Sequence, residues 1–339
     1  MSETIHKISG EYGIYPYKIE RISKRLFRIS DGNHYYALKQ SLLNENNLDL
    51  WEYVYHQAYS QNITSILPVY LTKQSRLYVQ YDQSYYYLTP WLTSNKLDHQ
   101  QIINNLYNAI GEVHGKTKRT QLIEANTVVN TFNEYQKNCA ELYRRQLYYV
   151  ELFEKNRFMS PFELLVCTQF RMMDNVLSTL NSCIERFISE IQNDQEWNYS
   201  LCHGNLDLTH ILLHNDSYII NWERANYDNA IADLSILFKY LVRNYDQSSS
   251  QLTDSFSVYT SKNILKKSEL YLLAIYLLNP FPYINQIQDY IDNPSNDTMI
   301  NQVKRLQYSA RQMLFGLKWF EFIEESTPVT GEDKDSKDG

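Results

Sequence analysis

The chain has 339 residues, 43% hydrophobic and 21% charged, with only 9 Gly and 8 Pro. This excludes a fibrous or disordered chain and leaves length for one large two-lobed protein or for two domains. A formal net charge of −7 and the lack of any Lys/Arg run argue against nucleic acid as a partner.

Met1 to Tyr15 is polar and lacks the apolar core of a signal peptide. No stretch reaches the roughly 18 apolar residues of a transmembrane helix, so synthesis and first folding are expected in the cytoplasm. Tyr17 to Ile22 and Leu26 to Ile29 alternate like strands, and Asp31-Gly32 between Leu26–Ser30 and His34–Gln40 is a hairpin signal. Leu48, Trp51, Val54, Tyr55 and Ala58 predict a helix over 44–60. Strands are predicted over Ile66–Leu71, Arg76–Tyr81 and Tyr85–Thr89, where Pro90 interrupts pairing. Residues 1–90 are therefore expected to form a small, mostly antiparallel sheet with one inserted helix.

Residues 91–325 read as a helical lobe, with helices over 102–116 and 131–158, and one from Pro161 to about Ile191. Ile211–Leu213 and Tyr218–Ile220 around Asn215-Asp216 form a second hairpin, and helix returns over 230–242. The last helix, over 298–325, carries Met299, Val303, Leu306, Ala310, Met313, Leu317, Phe320 and Ile323 as a core stripe. The tail, 326–339, is polar, charged and expected to be disordered. Four scattered cysteines fit buried thiols in a reducing compartment, and the 30 tyrosines are expected mainly in the core.

Lys39 ends the strand Tyr35-Tyr36-Ala37-Leu38-Lys39 after the Asp-Gly turn. In kinases a lysine there pairs the nucleotide phosphates and a helix glutamate, which makes Glu52 its expected partner, with Glu45 second. Alone, Lys39 would read as an exposed strand lysine. Further on stand Cys202-His203-Gly204-Asn205-Leu206-Asp207-Leu208-Thr209-His210-Ile211-Leu212, then Ile219-Ile220-Asn221-Trp222-Glu223, then Ala232-Asp233-Leu234. In order and spacing these segments resemble the catalytic region of aminoglycoside and choline phosphotransferases: His-Gly-Asp, four residues, Asn, a hairpin, Ile-Asp-Trp/Phe-Glu and a later Asp-Leu. The resemblance implies an α+β, two-lobed protein-kinase-like fold, a small antiparallel β lobe with one helix plus a large helical lobe.

Within that superfamily the chain is most similar to the CotS-type spore coat proteins, including the YsxE and YutH kinds. The similarity lies in overall length and in the run from Phe27-Arg28-Ile29 to Tyr35-Tyr36-Ala37-Leu38-Lys39. It implies a protein of the mother-cell cytoplasm and then of the spore coat, with other spore coat proteins as partners. Oligomeric state is not set by any of these residues.

The chain departs from the phosphotransferase pattern at its chemical positions. The catalytic Asp is Asn205, and a carboxamide is not a usable base. The loop Asn is His210, whose imidazole is a poor magnesium ligand. The metal Asp is Asn221, a neutral donor. His203, which in the family braces the loop, and Asp233, which bonds it from the next helix, are both kept. Ile22-Ser23-Lys24-Arg25 stands where a Gly-rich loop would cradle phosphates. The expectation is a catalytically inactive pseudokinase needing no cofactor. Residual activity with ATP and Mg would need Asp207 as a displaced base or Glu223 as a cation ligand. A third reading is a nucleotide-sensing module that keeps Lys39 and binds without turnover.

Plainer readings fit the rest. His210 and His214 lie on loop and strand and lack further zinc ligands. Cys202 reads as a buried strand residue rather than a nucleophile. Tyr85-Tyr86-Tyr87 reads as packing, with stacking on an adenine as the alternative.

Overall fold

The structure, a computed structural model, describes residues 2–243, 249–295 and 297–326. The tail expected to be disordered lies outside the described residues, except Ser326, which ends the last helix. The chain divides into two units, one of Met1–Gln121, Trp197–Leu237 and Asp254–Ile264, the other of Leu122–Glu196, Phe238–Thr253 and Leu265–Gly339.

The first unit opens with helix α1 (Ser2–Glu11), then β1 (Lys18–Arg21), β2 (Leu26–Ser30), β3 (Tyr35–Gln40), α2 (Leu48–Ser60), β4 (Val79–Tyr81) and β5 (Ser84–Pro90). The strands form one antiparallel sheet in the order β1-β2-β3-β5-β4. Register decides what each face does. Phe27, Ile29, Leu38 and Leu88 cluster with Ile5 and Ile8 of α1 as a core. The alternate positions Leu26, Lys39 and Tyr87 lie side by side across three strands, as do Ala37 and Thr89, and these turn to the opposite face.

Two expectations for this part are corrected. α1 was not expected: only Ile5, Ile8 and Ser9 of it are buried, too few apolar residues to show a period. Ile66–Leu71 is not a strand. Ile66 makes a single parallel bridge to Ile219, and Pro68 lacks the N–H that pairing would need.

Helix α3 (His99–Thr117) starts on a capping box in which Asp98 and Gln101 satisfy each other's backbone. Strand β6 (Arg119–Leu122) is exposed throughout and gives no alternation to read. It joins β7 (Glu196–Cys202) and β10 (Asn226–Asp228) in a second sheet. The hairpin β8 (Ile211–Leu213) and β9 (Ser217–Ile219) falls as expected, within a residue, with Ile211 opposite Ile219. Helix α7 (Ile231–Leu241) follows, and α8 (Ser250–Asp254) and α9 (Phe256–Thr260) are short.

The second unit is helical. It holds α4 (Ala125–Glu154), α5 (Pro161–Thr168), α6 (Phe170–Asp194), α10 (Lys267–Leu277), α11 (Phe281–Asp292) and α12 (Met299–Ser326). Pro161 is at the first turn of α5, capped by Ser160 and Glu163. The single helix expected from Pro161 is two, broken at Gln169; the apolar period runs through the break unaltered, so the pattern does not mark it. On α12, Leu306, Ala310, Met313 and Ile323 are buried as expected, but Met299, Val303, Leu317 and Phe320 of the expected stripe are only half-buried, and Phe315 and Trp319, outside it, are buried. The tyrosines divide: Tyr87, Tyr107, Tyr149, Tyr259 and Tyr283 are buried, while Tyr15, Tyr17 and Tyr59 are exposed.

Candidate functional site

The loop after β7 is held by a buried polar network. The Asp233 carboxylate, fully buried, accepts the backbone N–H of His203 at 2.5 Å and of Gly204 at 2.8 Å. His114 bonds the same carboxylate at 3.2 Å, and Tyr259 bonds the other His114 nitrogen at 2.9 Å. Asn263 donates to the Tyr259 hydroxyl at 2.7 Å. Gly204 has φ +74, and a Cβ there would meet the Arg224 carbonyl at 2.2 Å, so only glycine fits.

His203 is fixed in one tautomer. A carbonyl only accepts, so Nε2–H donates to Ile220 O at 2.8 Å, and Nδ1 accepts from the Asn205 N–H at 3.3 Å. The ring thus ties the loop to the end of the β8–β9 hairpin. Burial lowers its pKa, in keeping with a neutral ring whose two nitrogens are both satisfied.

The positions of altered chemistry are bonded within the protein. His210 Nδ1–H donates to the Asn205 carbonyl at 2.8 Å. Asp207 caps the short turn Leu208–His210, accepting from Thr209 N at 2.7 Å and Thr209 Oγ1 at 2.5 Å. Asn221 sits at φ 70, a left-handed conformation that Asn tolerates better than most residues. Its Oδ1 accepts from Lys39 Nζ at 2.5 Å.

Lys39 is paired, but not with Glu52 or Glu45. Its ammonium lies 2.5 Å from Glu223 Oε1, with the two side chains 17% and 7% exposed. Tyr87 donates to the same oxygen at 3.0 Å, and its ring lies 5.5 Å from Nζ. Helix α2 buries Trp51 and Val54, Glu52 makes no ion pair among the described residues, and Glu45 is exposed. Glu223 was expected as a cation ligand; here a cation of the protein itself holds it. Tyr87 as its partner, and His114 as the partner of Asp233, were not foreseen.

Burial acts to raise the pKa of both carboxyls. For Glu223 the Lys39 ammonium outweighs it, and for Asp233 His114 and the loop amides do, so both end below their ordinary values. Groups with lowered folded pKa contribute stability that is complete above the unfolded values, about 4.3 for Glu and 3.9 for Asp, and lost as pH falls through the folded ones. Unfolding free energy measured from pH 7 to 3 is thus expected to be flat for these two groups down to about pH 5 and to fall below it. The fall should be shallower in Glu223→Gln, and an unchanged acid limb would contradict the assignment.

Among the described residues, His114, Cys202 and Asp233 bring three potential metal-ligating atoms within 4.8 Å, all buried. Hydrogen bonds occupy them instead. Cys202 Sγ lies 3.5 Å from the Asn229 carbonyl, and burial, then Asp233 and Asp228, push its thiol well up, against the thiolate a metal needs. Cys202 is a buried strand residue, as expected.

A cavity of about 390 Å³ opens beside Lys39. Leu26, Ala37, Leu212 and Ile220 are among its apolar lining residues, with Pro90, Trp91 and Leu92. Arg25, Lys39 and Asn221 are among its polar lining residues, and no Asp or Glu lines it.

Among solved structures, the aminoglycoside phosphotransferase from Alicyclobacillus acidocaldarius subsp. acidocaldarius DSM 446 is similar with a TM-score of 0.70 at 14% identity, over 94% of this chain and 95% of that one. A spectinomycin phosphotransferase in an AMP-bound complex gives 0.55 at 12% identity, over 93% and 98%. An amicoumacin kinase in complex with AMP-PNP and Ca2+ gives 0.53 at 14%, over 98% and 95%. No protein-family model matches the chain, and no curated protein matches it in sequence. The likeness establishes the fold: protein-kinase-like, of the aminoglycoside phosphotransferase type, with a small antiparallel sheet and a large helical part. No helix of the described residues is long and apolar enough to cross a membrane.

Proposed function

We propose that this chain is a catalytically inactive protein on the phosphotransferase fold, serving as a component or assembly factor of the spore coat. The observation that carries the inactivity is Asn221, a neutral amide that accepts from Lys39 Nζ, at the position where the fold's chemistry calls for a metal-holding carboxylate. Asn205 offers no base, and His210 is turned onto the Asn205 carbonyl. Asp207, the one acid near enough in sequence to stand in, turns its Oδ1 to capping the Leu208–His210 turn.

The coat role is supported by the resemblance to CotS-type proteins in the β2–β3 run. It is tested by following the protein into the coat fraction of spores of the bacterium that makes it.

Inactivity is tested by phosphate transfer from ATP with Mg2+ to aminoglycosides, choline and water. No turnover above the rate without protein is expected. Magnesium-dependent transfer that Asp207→Ala abolishes would overturn the reading and establish an active small-molecule phosphotransferase instead. A nucleotide-sensing role without turnover is favoured by one specific feature, the cavity beside Lys39, lined by apolar residues and by the cations Arg25 and Lys39.

A further inference from the structure

A second cavity, of about 260 Å³, lies among α5, α11 and the start of α12. Every residue lining it belongs to the second unit, and none lines the cavity beside Lys39. Phe162 and Tyr290, stacked with ring centroids 4.3 Å apart, supply its apolar part. The volume is below the usual range for small-molecule sites and suits a single side chain.

Gln302, in the first turn of α12, is 5% exposed and lines this cavity. Its Nε2–H donates to the Pro294 carbonyl at 3.0 Å. A carbonyl only accepts, so the amide cannot be turned end for end, and Oε1 is fixed as its free end. That oxygen is closed to bulk solvent and has no hydrogen-bond partner. A buried acceptor without a donor is destabilising until one meets it. The terminal torsion of a glutamine is soft, so a small turn presents Oε1 to an entering group. Gln286, also in the lining, has an unpartnered Oε1 as well, while its Nε2 bonds the Ser309 hydroxyl at 2.9 Å.

The charges favour a cation. Asp297 is occupied: its Oδ1 accepts from Thr298 N at 2.7 Å and Asn301 Nδ2 at 2.8 Å, and its Oδ2 holds Arg305 at 3.2 Å. Asp289, exposed, makes no hydrogen bond or ion pair through its carboxylate among the described residues, so its charge is left over. An ammonium on an apolar stem answers both parts of the lining, with three donors and no acceptor. Acceptors spread over separate residues suit its divergent N–H groups better than the flat fork of a guanidinium.

From this geometry we infer that the cavity is a docking site for a lysine side chain of a partner protein, received by Gln302, Gln286 and Asp289. That the lysine belongs to a protein rests on the reading of the chain as an assembly component. The state of the cleft beside Lys39 does not enter.

The test is an NMR titration of the full chain with blocked Gly-Lys-Gly peptide, reading the backbone amides of residues 286–305. The same peptide is used with Nε-acetyllysine, which loses the charge, and with Nε-trimethyllysine, which keeps the charge without N–H. n-Butylamine serves as a free amine. The lysine peptide is expected to shift these amides at lower concentration than n-butylamine does, and the two modified peptides to leave them unmoved. Gln302→Met is expected to weaken binding about tenfold, and Asp289→Asn about threefold. Asp174→Asn, an equal change of charge on α6, should have no effect. The thermal midpoint of each variant shows that it folds. Equal binding of trimethyllysine, binding that survives both variants, or tighter binding of n-butylamine would overturn the inference. No shift with any peptide would overturn it too, without touching the coat role. Lysine-specific shifts in a protein absent from the coat fraction would support the site and remove the coat.

Discussion

Asp233→Ala is expected to destabilise the protein by about 3–5 kcal/mol, enough to unfold a marginally stable chain. The carboxylate is fully buried and takes the N–H groups of His203 and Gly204 as well as His114. Its removal leaves the buried His203 amide, the half-buried Gly204 amide and a buried imidazole nitrogen without this partner. Asp233→Asn should recover little, because one of its two acceptor atoms becomes a donor facing a donor. Denaturant unfolding of purified protein measures the loss. A cost below about 1 kcal/mol would mean that the loop is held elsewhere.

Glu223→Gln is the second large effect, expected at about 3 kcal/mol. Lys39 is only 17% exposed, so without the carboxylate its ammonium is stranded, with Asn221 and the Tyr87 ring as weak substitutes. The cost belongs to the stranded charge rather than to the pair itself. Adding Lys39→Met to Glu223→Gln should therefore restore part of the lost stability. The double-mutant cycle should show strong coupling. Independent, additive losses would mean that the two groups do not pair in solution.

What was legible in the sequence was whatever repeats at short range or falls at fixed spacing. Asp31-Gly32 placed the first hairpin, and the run from His203 to Asp233 placed the loop, the second hairpin and the residue that holds them. Burial without period was not legible. In α10, Tyr271 to Ile275 are all buried, so no stripe marks it as a helix. The partner of Lys39 was misplaced for another reason. Glu52 satisfied a rule about where such a glutamate sits, but α2 turns Trp51 inward, and a carboxylate 184 positions from the lysine fills the role. Glu223 was already marked as an acid of interest; its buried tyrosine partner at position 87 was the missing clue. Gln302 gave no signal at all, since a buried acceptor without a donor can be seen only once its neighbours are placed.

Glu223 also fastens three elements at once. Its carboxylate takes Lys39 from β3 and Tyr87 from β5, and its backbone carbonyl takes the Asn47 amide at the head of α2. In kinases that switch, the lysine's partner rides on the helix, so swinging the helix makes or breaks the pair. Here the pair is anchored to the turn that follows the second hairpin, and the helix is pinned to that same turn by a separate bond. A ligand can shift a protein only between states that it binds unequally. With the latch closed from within, a molecule entering the cavity beside Lys39 meets a lock already turned, and its arrival should register as added resistance to unfolding rather than as a change of shape.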